Sequence, residues 1–268
     1  MSEKITVYIP VYNGANFIEC AIDSILSQTY KNYEIIVSDN KSTDNTVEIV
    51  KRYMNDKRIK LIEKPRNTGM LNNGNDCLRM IKTKYFMGIC HDDYFYDDRA
   101  LEIGVSVLEA NPEYPVVYCD MMFVDACNRP ITKKSTGYSG EIESNLIAKK
   151  SIISGRNLYS IPLLIRTSAI REFTYSDEYY HTSDIDFSIW IGKNQKIYYL
   201  PDSLFALRFH GYNNTARKYD TLMEEYIQLA NKYNIHLNRF ERAVMRTNHY
   251  MNYVRKSLFY FYLDKIRR

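Results

Sequence analysis

The 268-residue sequence lacks the features that define several common classes of protein. Its longest unbroken apolar run covers residues 258–263, far fewer than the roughly 20 residues that a membrane-spanning helix requires. No apolar segment of the signal-peptide type follows the N-terminus. The five cysteines form no Cys-x-x-Cys pair, which argues against a zinc cluster or a disulfide framework and favours reduced thiols. We therefore expect a cytoplasmic protein.

Two glycine-rich motifs that bind phosphate groups are also absent. No Gly-x-Gly-x-x-Gly and no Gly-x-x-x-x-Gly-Lys-Ser/Thr occurs in the sequence, which argues against a dinucleotide-binding fold and a P-loop NTPase. A diphosphate ligand would instead need a metal ion held by carboxylates, and Asp92 and Asp93 are candidates for this role.

The net charge of +4 is unevenly distributed along the chain. Residues 217–268 hold 11 Lys and Arg against 5 Asp and Glu, a balance of +6, so that residues 1–216 carry −2. This distribution suggests that the C-terminal segment meets an anionic partner. We do not expect nucleic-acid binding, because no recognised module is present and the rest of the chain is mildly acidic.

Apolar segments of strand length alternate with segments of helical periodicity in the first 120 residues. Continuous apolar strands separated by helices predict an α/β fold with a buried, mostly parallel sheet. The predicted strands cover residues 5–11, 33–38, 59–63, 85–90 and 116–120, and the predicted helices cover 17–28, 44–54, 70–81 and 99–110.

The rest of the chain has a looser pattern. Residues 126–160 are expected to form loops and one short helix. Strands at 162–170 and 203–210 are predicted to flank a helix at 184–193. From residue 217 onward neither Gly nor Pro occurs, and a helix is predicted to the end. We therefore divide the chain into an α/β part, residues 1–215, and a helical C-terminal extension, residues 216–268.

The C-terminal extension contains an apolar stripe at helical spacing with basic residues between its members. We favour a helix that docks on the α/β part through this stripe, while a partner helix in a homodimer and an interfacial helix on an anionic membrane both remain open. The stripe consists of Leu237, Phe240, Val244, Met251, Val254, Leu258 and Phe261.

Polar residues follow three of the predicted strands at the point where each ends. Asn13 follows the first strand, Asp39 the second, and Asp92 with Asp93 the fourth. Each has an ordinary explanation as a turn, a helix cap or a solvated pair. Ligands of open α/β sheets bind at the carboxyl ends of the strands, so the repetition at this edge indicates a binding site.

Four segments of the N-terminal part resemble the opening of a family 2 glycosyltransferase. They are residues 9–13 (Ile-Pro-Val-Tyr-Asn), 24–30 (Ser-Ile-Leu-Ser-Gln-Thr-Tyr), 33–39 (Tyr-Glu-Ile-Ile-Val-Ser-Asp) and 42–46 (Ser-Thr-Asp-Asn-Thr). Residues 67–69 and 73–75 are similar to the asparagine-rich third segment of that family. The resemblance implies a GT-A fold, with a nucleotide-sugar-binding half at 1–120 and an acceptor-binding half at 121–215.

The resemblance also implies roles for single residues in donor binding. Asp39 corresponds to the carboxylate that reads the N3–H of uracil, which is sound chemistry because an ionised carboxylate only accepts hydrogen bonds. The remaining residues that the resemblance places at the donor are Pro10, Val11, Tyr12, Asn13, Asn67, Asn73, His91, Asp93 and Arg208.

The metal ligands implied by the resemblance are Asp92 and His210, with Mn²⁺ or Mg²⁺ as the cofactor. Residues 90–93 read Cys-His-Asp-Asp where the family often has Asp-x-Asp-Asp, so Cys90 replaces the first acid. Arg208 is expected near phosphate or acceptor, where a cation would stabilise the departing diphosphate.

The catalytic base implied by the resemblance is Asp184, with Asp186 as the alternative. A base is needed because a sugar hydroxyl is a poor nucleophile until its proton is removed. Asp184 also has the position of a helix N-cap, and one residue can have both roles. Ser183 stands where the family often has an acid.

The expected activity is inverting transfer of a hexosyl or N-acetylhexosaminyl group from a UDP-sugar to a saccharide or lipid-linked acceptor. Cell-surface polysaccharide biosynthesis is the expected setting, at the inner membrane face. Two other functions remain open: a nucleotide-sugar-binding protein with impaired catalysis, which the residues Cys90 and Ser183 allow, and a sugar nucleotidyltransferase that uses Asp92 and Asp93.

Overall fold

A ten-stranded sheet organises the part of the chain that the computed structural model describes, residues 4–210 and 219–266. The strands are β1 (Ile5–Val11), β2 (Tyr33–Asp39), β3 (Ile59–Glu63), β4 (Tyr85–Gly88), β5 (Tyr94–Phe95), β6 (Val116–Val124), β7 (Pro130–Lys134), β8 (Gly140–Glu143), β9 (Ile161–Arg166) and β10 (Lys196–Arg208). The helices are α1 (Ile18–Leu26), α2 (Thr46–Lys51), α3 (Met70–Met80), α4 (Ala100–Ala110), α5 (Ser144–Ser154), α6 (Ser183–Gly192), α7 (Tyr219–Lys232) and α8 (Arg239–Ile266).

The strand order is β3-β2-β1-β4-β9-β6-β10-β5, with β7 paired to β6 and β8 paired to β10. Strands β1 to β4 pair in parallel, and β6 pairs in parallel with β10. Strand β9 lies antiparallel between β4 and β6. The predicted α/β sheet flanked by helices is therefore confirmed. The strand predicted at 162–170 ends at Arg166, and a 3-10 helix covers Thr167–Ile170.

Two hydrophobic layers cover the opposite faces of the sheet. Ile5, Val7 and Ile9 of β1 pack with α1, α2 and α4 in one layer. Tyr8 of the same strand packs with α3, α5 and α6 in the other. Because side chains alternate between the faces of a strand, burial on both faces explains why β1 and β2 are continuous apolar runs.

The carboxyl ends of β1, β2 and β4 meet at one edge of the sheet. Val11, the last residue of β1, is in register with Asp39, the last residue of β2. The backbone N–H of Asn40 donates to the carbonyl of Val11 at 2.8 Å, and that of Ile89, just after β4, donates to the carbonyl of Tyr8 at 3.0 Å. The loops that carry the predicted donor-binding residues therefore begin side by side.

The region predicted as loops with one short helix contains that helix, α5, and also two strands. Strands β7 and β8 extend the sheet by pairing with β6 and β10. Their residues are mostly exposed and polar, as at Lys133 and Glu141, so they lack the apolar pattern that identifies a buried strand.

The C-terminal extension forms two helices where one was predicted. Asn234, at φ 53°, follows α7. Asn238 and Glu241 then exchange backbone-to-side-chain hydrogen bonds of 2.9 Å, which is a capping box at the start of α8. The predicted boundary at 215–216 lies outside the described residues. Within the described ranges, no helix combines the length and the apolar character needed to cross a bilayer.

The face of α8 that docks on the α/β part differs from the predicted stripe. Met245 and His249 are each 3% exposed and face α5. Phe240 is 76% exposed and Met251 is 43% exposed, so the prediction that the stripe docks is wrong for these residues. The side chains of the stripe residues Leu258 and Phe261 lie outside the described part.

Candidate active site

Asp39 offers an unpaired buried oxygen at the carboxyl edge of the sheet. The residue is 2% exposed. Its Oδ2 atom accepts a hydrogen bond of 3.0 Å from the backbone N–H of Ser42, whereas Oδ1 is buried without a partner among residues 4–210 and 219–266. An unpaired buried acceptor costs about 1–3 kcal/mol. A ligand N–H that reaches Oδ1 would remove this cost.

Asn13 joins the loops that follow β1 and β2. Its backbone N–H donates to Oγ of Ser42 at 2.9 Å, and its Oδ1 accepts from the backbone N–H of Thr43 at 2.8 Å. The N–H of Gly14 adds a bond of 2.8 Å to Oγ1 of Thr46. The backbone of Asn13 has φ 53°, a left-handed conformation that asparagine tolerates. The two loops therefore form one continuous wall beside Asp39.

The first loop also presents an exposed aromatic side chain at this edge. Val11 is 1% exposed and belongs to the core, and Pro10 is half-buried. Tyr12 is 44% exposed and lies one residue beyond the end of β1. Of these three residues, Tyr12 has the ring surface on which a nucleotide base or ribose could stack.

Asn67 and Asn73 form hydrogen bonds that support the end of β2. Oδ1 of Asn67 accepts from Nδ2 of Asn40 and from the N–H of Gly69, both at 2.9 Å. Asn73 is buried, accepts from Oγ of Ser38 at 2.7 Å and donates to the carbonyl of Ser38 at 3.0 Å. Both amides therefore position the backbone around Asp39.

Asp92 and His210 meet although 118 positions separate them in the sequence. Nε2 of His210 lies 2.9 Å from Oδ2 of Asp92, and the imidazole stacks on Phe17 with ring centroids 4.8 Å apart. The thiol of Cys90 and the carboxylates of Asp92 and Asp93 have potential ligand atoms within 4.8 Å of one another. Carboxylate and imidazole ligands fit Mn²⁺, and the carboxylate fits Mg²⁺, so the residues present fit a divalent cation at Asp92 and His210.

Arg208 packs against residues 90–93, which we call the acidic loop. The residue is 1% exposed, and its guanidinium carbon lies 4.6 Å from the ring centroid of Phe17 and 5.3 Å from that of Tyr94. The guanidinium donates to the carbonyl of Asp92 at 2.7 Å and to Oδ1 of Asn128 at 2.6 Å. These contacts hold the backbone of the proposed metal ligand.

Asp93 and His91 both pack into the protein beside Asp92. Burial and then the charge of Asp92 raise the pKa of Asp93, although the backbone N–H of Arg208 donates to its Oδ1 at 3.0 Å. Burial lowers the pKa of His91. A Cβ atom at Gly14 would lie 2.6 Å from the ring of His91, so only glycine fits there. His91 therefore joins the acidic loop to the loop after β1.

Asp184 is an exposed carboxylate on the first turn of α6. Its Oδ2 accepts a hydrogen bond of 3.2 Å from Nδ2 of Asn157. Burial raises the pKa of Tyr175 most strongly, and the charges of Cys90 and Asp184 raise it further. Tyr175 therefore lies within electrostatic reach of both the acidic loop and the predicted base.

Asp186, the alternative base, is a buried carboxylate engaged in an ion pair. It is 1% exposed, and its two oxygens lie 2.8 and 2.9 Å from Nζ of Lys232. The hydroxyl of Tyr233 also donates to Oδ1 at 2.6 Å. Asp184 is thus the accessible carboxylate of this motif.

Sequence reasoning missed four residues that organise the site. They are Phe17, Ser42, Asn128 and Asn157, which contact His210, Asp39, Arg208 and Asp184 respectively. Phe17 was considered only as the start of a predicted helix, and Ser42 as part of a family segment without a role of its own in the site. Asn128 and Asn157 lie within residues 126–160, where no local pattern indicates a partner so distant in sequence.

Comparison with known proteins identifies the family. A family model described as glycosyl transferase family 2 matches residues 6–179. An uncharacterized glycosyltransferase of Rickettsia prowazekii is 32% identical over 234 residues, which are 85% of this chain and 70% of that protein. The chondroitin synthase of Pasteurella multocida is 25% identical over 230 residues, which are 85% of this chain and 23% of that enzyme.

Solved structures show the same fold. TarS of S. aureus, residues 1–349 in complex with UDP-GlcNAc, has a TM-score of 0.68 at 17% identity and covers 94% of this chain and 80% of that one. The mannosyltransferase PcManGT of Pyrobaculum calidifontis, in complex with GDP-Man and Mn²⁺, has a TM-score of 0.60 at 16% identity and covers 94% and 81%.

The α/β sheet is thus that of a GT-A fold glycosyltransferase. The chain belongs to glycosyl transferase family 2.

Proposed function

We propose that this glycosyltransferase moves a hexosyl or N-acetylhexosaminyl group from a UDP-sugar to a saccharide or lipid-linked saccharide, with inversion at the anomeric carbon. The observation that carries the donor assignment is the unpaired Oδ1 of Asp39. Uracil presents an N–H at N3, whereas cytosine presents an acceptor there, so a carboxylate favours uracil over cytosine. The UDP-GlcNAc bound to TarS supports the same choice of nucleotide.

The diphosphate of the donor is proposed to lie between the loop after β1 and the acidic loop. Asp92 and His210 would hold Mn²⁺ or Mg²⁺, which when bound stabilises the leaving UDP as a Lewis acid. Arg208 supports this loop through the carbonyl of Asp92. We therefore assign Arg208 to positioning the metal ligand, in place of the direct phosphate contact expected from sequence.

Asp184 is proposed to take the proton of the acceptor hydroxyl as that oxygen attacks the anomeric carbon. Its exposure leaves it accessible to an acceptor, and the hydrogen bond from Asn157 orients its carboxylate. Attack from the face opposite UDP in one displacement inverts the anomeric centre. Asn67 and Asn73 keep the end of β2 in place, and Tyr12 stacks on the nucleotide.

The cellular setting that we propose is cell-surface polysaccharide synthesis at the cytoplasmic face of the membrane. A relative named as a chondroitin synthase supports a saccharide acceptor. The exposed Phe240 and Met251 of α8, together with the exposed Arg255 one turn after Met251, support peripheral contact with anionic lipid.

A donor screen tests this function. UDP, GDP, CDP and ADP sugars are titrated by thermal shift with and without Mn²⁺, because a ligand of the folded state raises its stability. We expect the largest shift with a UDP-sugar and Mn²⁺, followed by UDP release with a saccharide acceptor. Binding without release would indicate impaired catalysis, and release of diphosphate from an NTP and a sugar phosphate would indicate a nucleotidyltransferase.

A further inference from the structure

Two charged residues of α7, Glu225 and Lys232, contact the start of α6, the helix that carries Asp184. We call these two contacts the clamp. Glu225 of α7 is 5% exposed. Its Oε2 atom accepts hydrogen bonds from the backbone N–H groups of His181 and Thr182, both at 2.9 Å, and from Oγ1 of Thr182 at 3.0 Å. One carboxylate oxygen therefore fixes the turn that leads into α6.

A second contact lies two turns further along the same face of α7. Lys232 is seven positions after Glu225, and seven residues make about two helical turns. Its Nζ atom pairs with Asp186 on the first turn of α6, and the neighbouring Tyr233 donates to the same carboxylate. The two contacts lie on either side of Asp184 in the sequence.

The geometry of the clamp determines where Asp184 is presented. The carbonyl of Thr182 accepts from the backbone N–H groups of Ile185 and Asp186 at 2.9 and 2.8 Å and so begins α6. A displacement of Thr182 would therefore reorient the first turn of α6, which carries Asp184. Apolar side chains alone could hold α7 against α6. Burying a carboxylate such as that of Glu225 costs free energy unless its hydrogen bonds are well formed.

We propose that Glu225 and Lys232 are positioning residues for Asp184, so that α7 belongs to the catalytic apparatus. The proposal rests on the function proposed above, in which Asp184 is the base. Glu225 and Lys232 act through the backbone of Thr182 and the side chain of Asp186.

Hydrogen exchange measures the clamp without any need for turnover. In Glu225→Ala the amides of residues 181–186 should exchange at least about tenfold faster than in the wild-type chain, a change equivalent to about 1.4 kcal/mol. Glu224→Ala removes the same charge from the neighbouring exposed position and should leave these amides unchanged. Equal exchange in both variants would overturn the proposal.

A double-mutant cycle measures the catalytic consequence. The assay is UDP release with Mn²⁺ from whichever of UDP-glucose, UDP-galactose and their N-acetylamino analogues the wild-type chain turns over fastest. Glu225→Ala should lower kcat about 100-fold, as a misplacement of about 1 Å does, with the Kd of UDP within about twofold. Combined with Asp184→Ala it should cause no further loss, because both changes remove the same step.

The conservative variant separates positioning from folding. Glu225→Gln keeps an acceptor oxygen and should retain most of the kcat lost in Glu225→Ala. If Glu225→Ala folds, binds UDP and keeps wild-type kcat while Asp184→Ala is inactive, the positioning role is overturned. If Asp184→Ala itself keeps wild-type kcat, the assignment of the base fails, and the exchange result then stands as a statement about the clamp alone.

Discussion

Asp39 and Ser42 form a hydrogen bond of 3.0 Å that uses only one oxygen of the carboxylate. Because Oδ2 accepts the N–H of Ser42, the atom at the Oδ1 position is the one that would meet the base in the proposed donor site. In the wild-type chain that atom is an acceptor, and it is buried and unpaired within the described residues. We therefore expect the Oδ1 atom of Asp39 to determine donor selectivity.

Substitution of Asp39 should change the nucleotide preference. In Asp39→Asn the amide oxygen should keep the bond to Ser42, which turns the NH₂ group towards the base. That group repels the N3–H of uracil and matches the N3 acceptor of cytosine. We expect wild-type protein to bind UDP more tightly than CDP, and Asp39→Asn to reverse this order, as measured by calorimetry.

Two further variants complete this test. Asp39→Ala should lose about 1.5–3 kcal/mol of UDP binding, the value of a hydrogen bond to a charged group. Asp44→Asn changes a carboxylate in the same loop that is already bonded to the N–H groups of Ala15 and Thr46. It should affect UDP and CDP equally. Equal affinity of the wild-type chain for UDP and CDP would remove the role assigned to Asp39.

Loss of the metal ligands should abolish the effect of Mn²⁺ on UDP binding. Asp92→Ala and His210→Ala each remove one of the two groups that lie 2.9 Å apart. In both variants the Kd of UDP should be the same with Mn²⁺ as with EDTA, whereas the wild-type chain should bind more tightly with Mn²⁺. Asp98→Ala, at an exposed position six residues after Asp92, serves as the control. A full Mn²⁺ response in His210→Ala would remove that residue from the metal site.

Substitutions of Asp184 and Asp186 should differ chiefly in their effect on stability. Asp184→Asn should leave the free energy of unfolding and the Kd of UDP almost unchanged, and should abolish UDP release. Asp186→Asn breaks an ion pair in which only the carboxylate is buried, so the cost should be below the roughly 3–5 kcal/mol of a fully buried pair. Urea denaturation measures this difference. Normal stability together with lost turnover in Asp186→Asn would return the role of base to that residue.

The sequence allowed the buried half of the sheet to be predicted because its signals are local. β1 was predicted with its observed bounds, since its apolar run is continuous and a turn follows it. Strands β7 and β8 were not predicted, because their residues are mostly exposed and lack the apolar pattern of a buried strand, and β8 pairs with the distant β10. A capping box at Asn238 and Glu241 was readable, and it would have divided the C-terminal helix in two.

The site shows the same division between local and long-range information. The resemblance to a family assigned roles to Asp39, Asp92 and Asp184, and these assignments stay predictions. It did not reveal that Asp186 is paired with Lys232, because an ion pair between residues 46 positions apart leaves no local pattern. Arg208 has the motif position expected of a phosphate ligand, but its burial beneath Asp92 is a property of the fold.

Acidification should loosen the docking of α8. Burial lowers the pKa of His249, whose Nε2 lies 2.9 Å from the carbonyl of Ile152. The unfolded chain therefore binds a proton at higher pH than the folded chain, so stability is full above about pH 6.5 and falls as the pH drops below it. Urea midpoints at several pH values measure this. His249→Gln should flatten the decline, whereas His236→Gln, at an exposed position, should not.

The exposed side of α8 should bind anionic membranes. Phe240 is 76% exposed and Met251 is 43% exposed, and the exposed Arg255 lies about one helical turn after Met251. Apolar burial together with attraction between cations and anionic headgroups stabilises such contact, and salt screens the second contribution. Liposome co-sedimentation should therefore show binding that requires anionic lipid and falls with salt.

Phe240→Ser combined with Met251→Ser should weaken this binding without disturbing the docking of α8, because neither residue belongs to the buried face formed by Met245 and His249. Truncation after Arg255 tests the aromatic end of the helix and keeps that buried face. A double variant that still binds vesicles but changes from dimer to monomer in sedimentation equilibrium would assign the stripe to a homodimer instead.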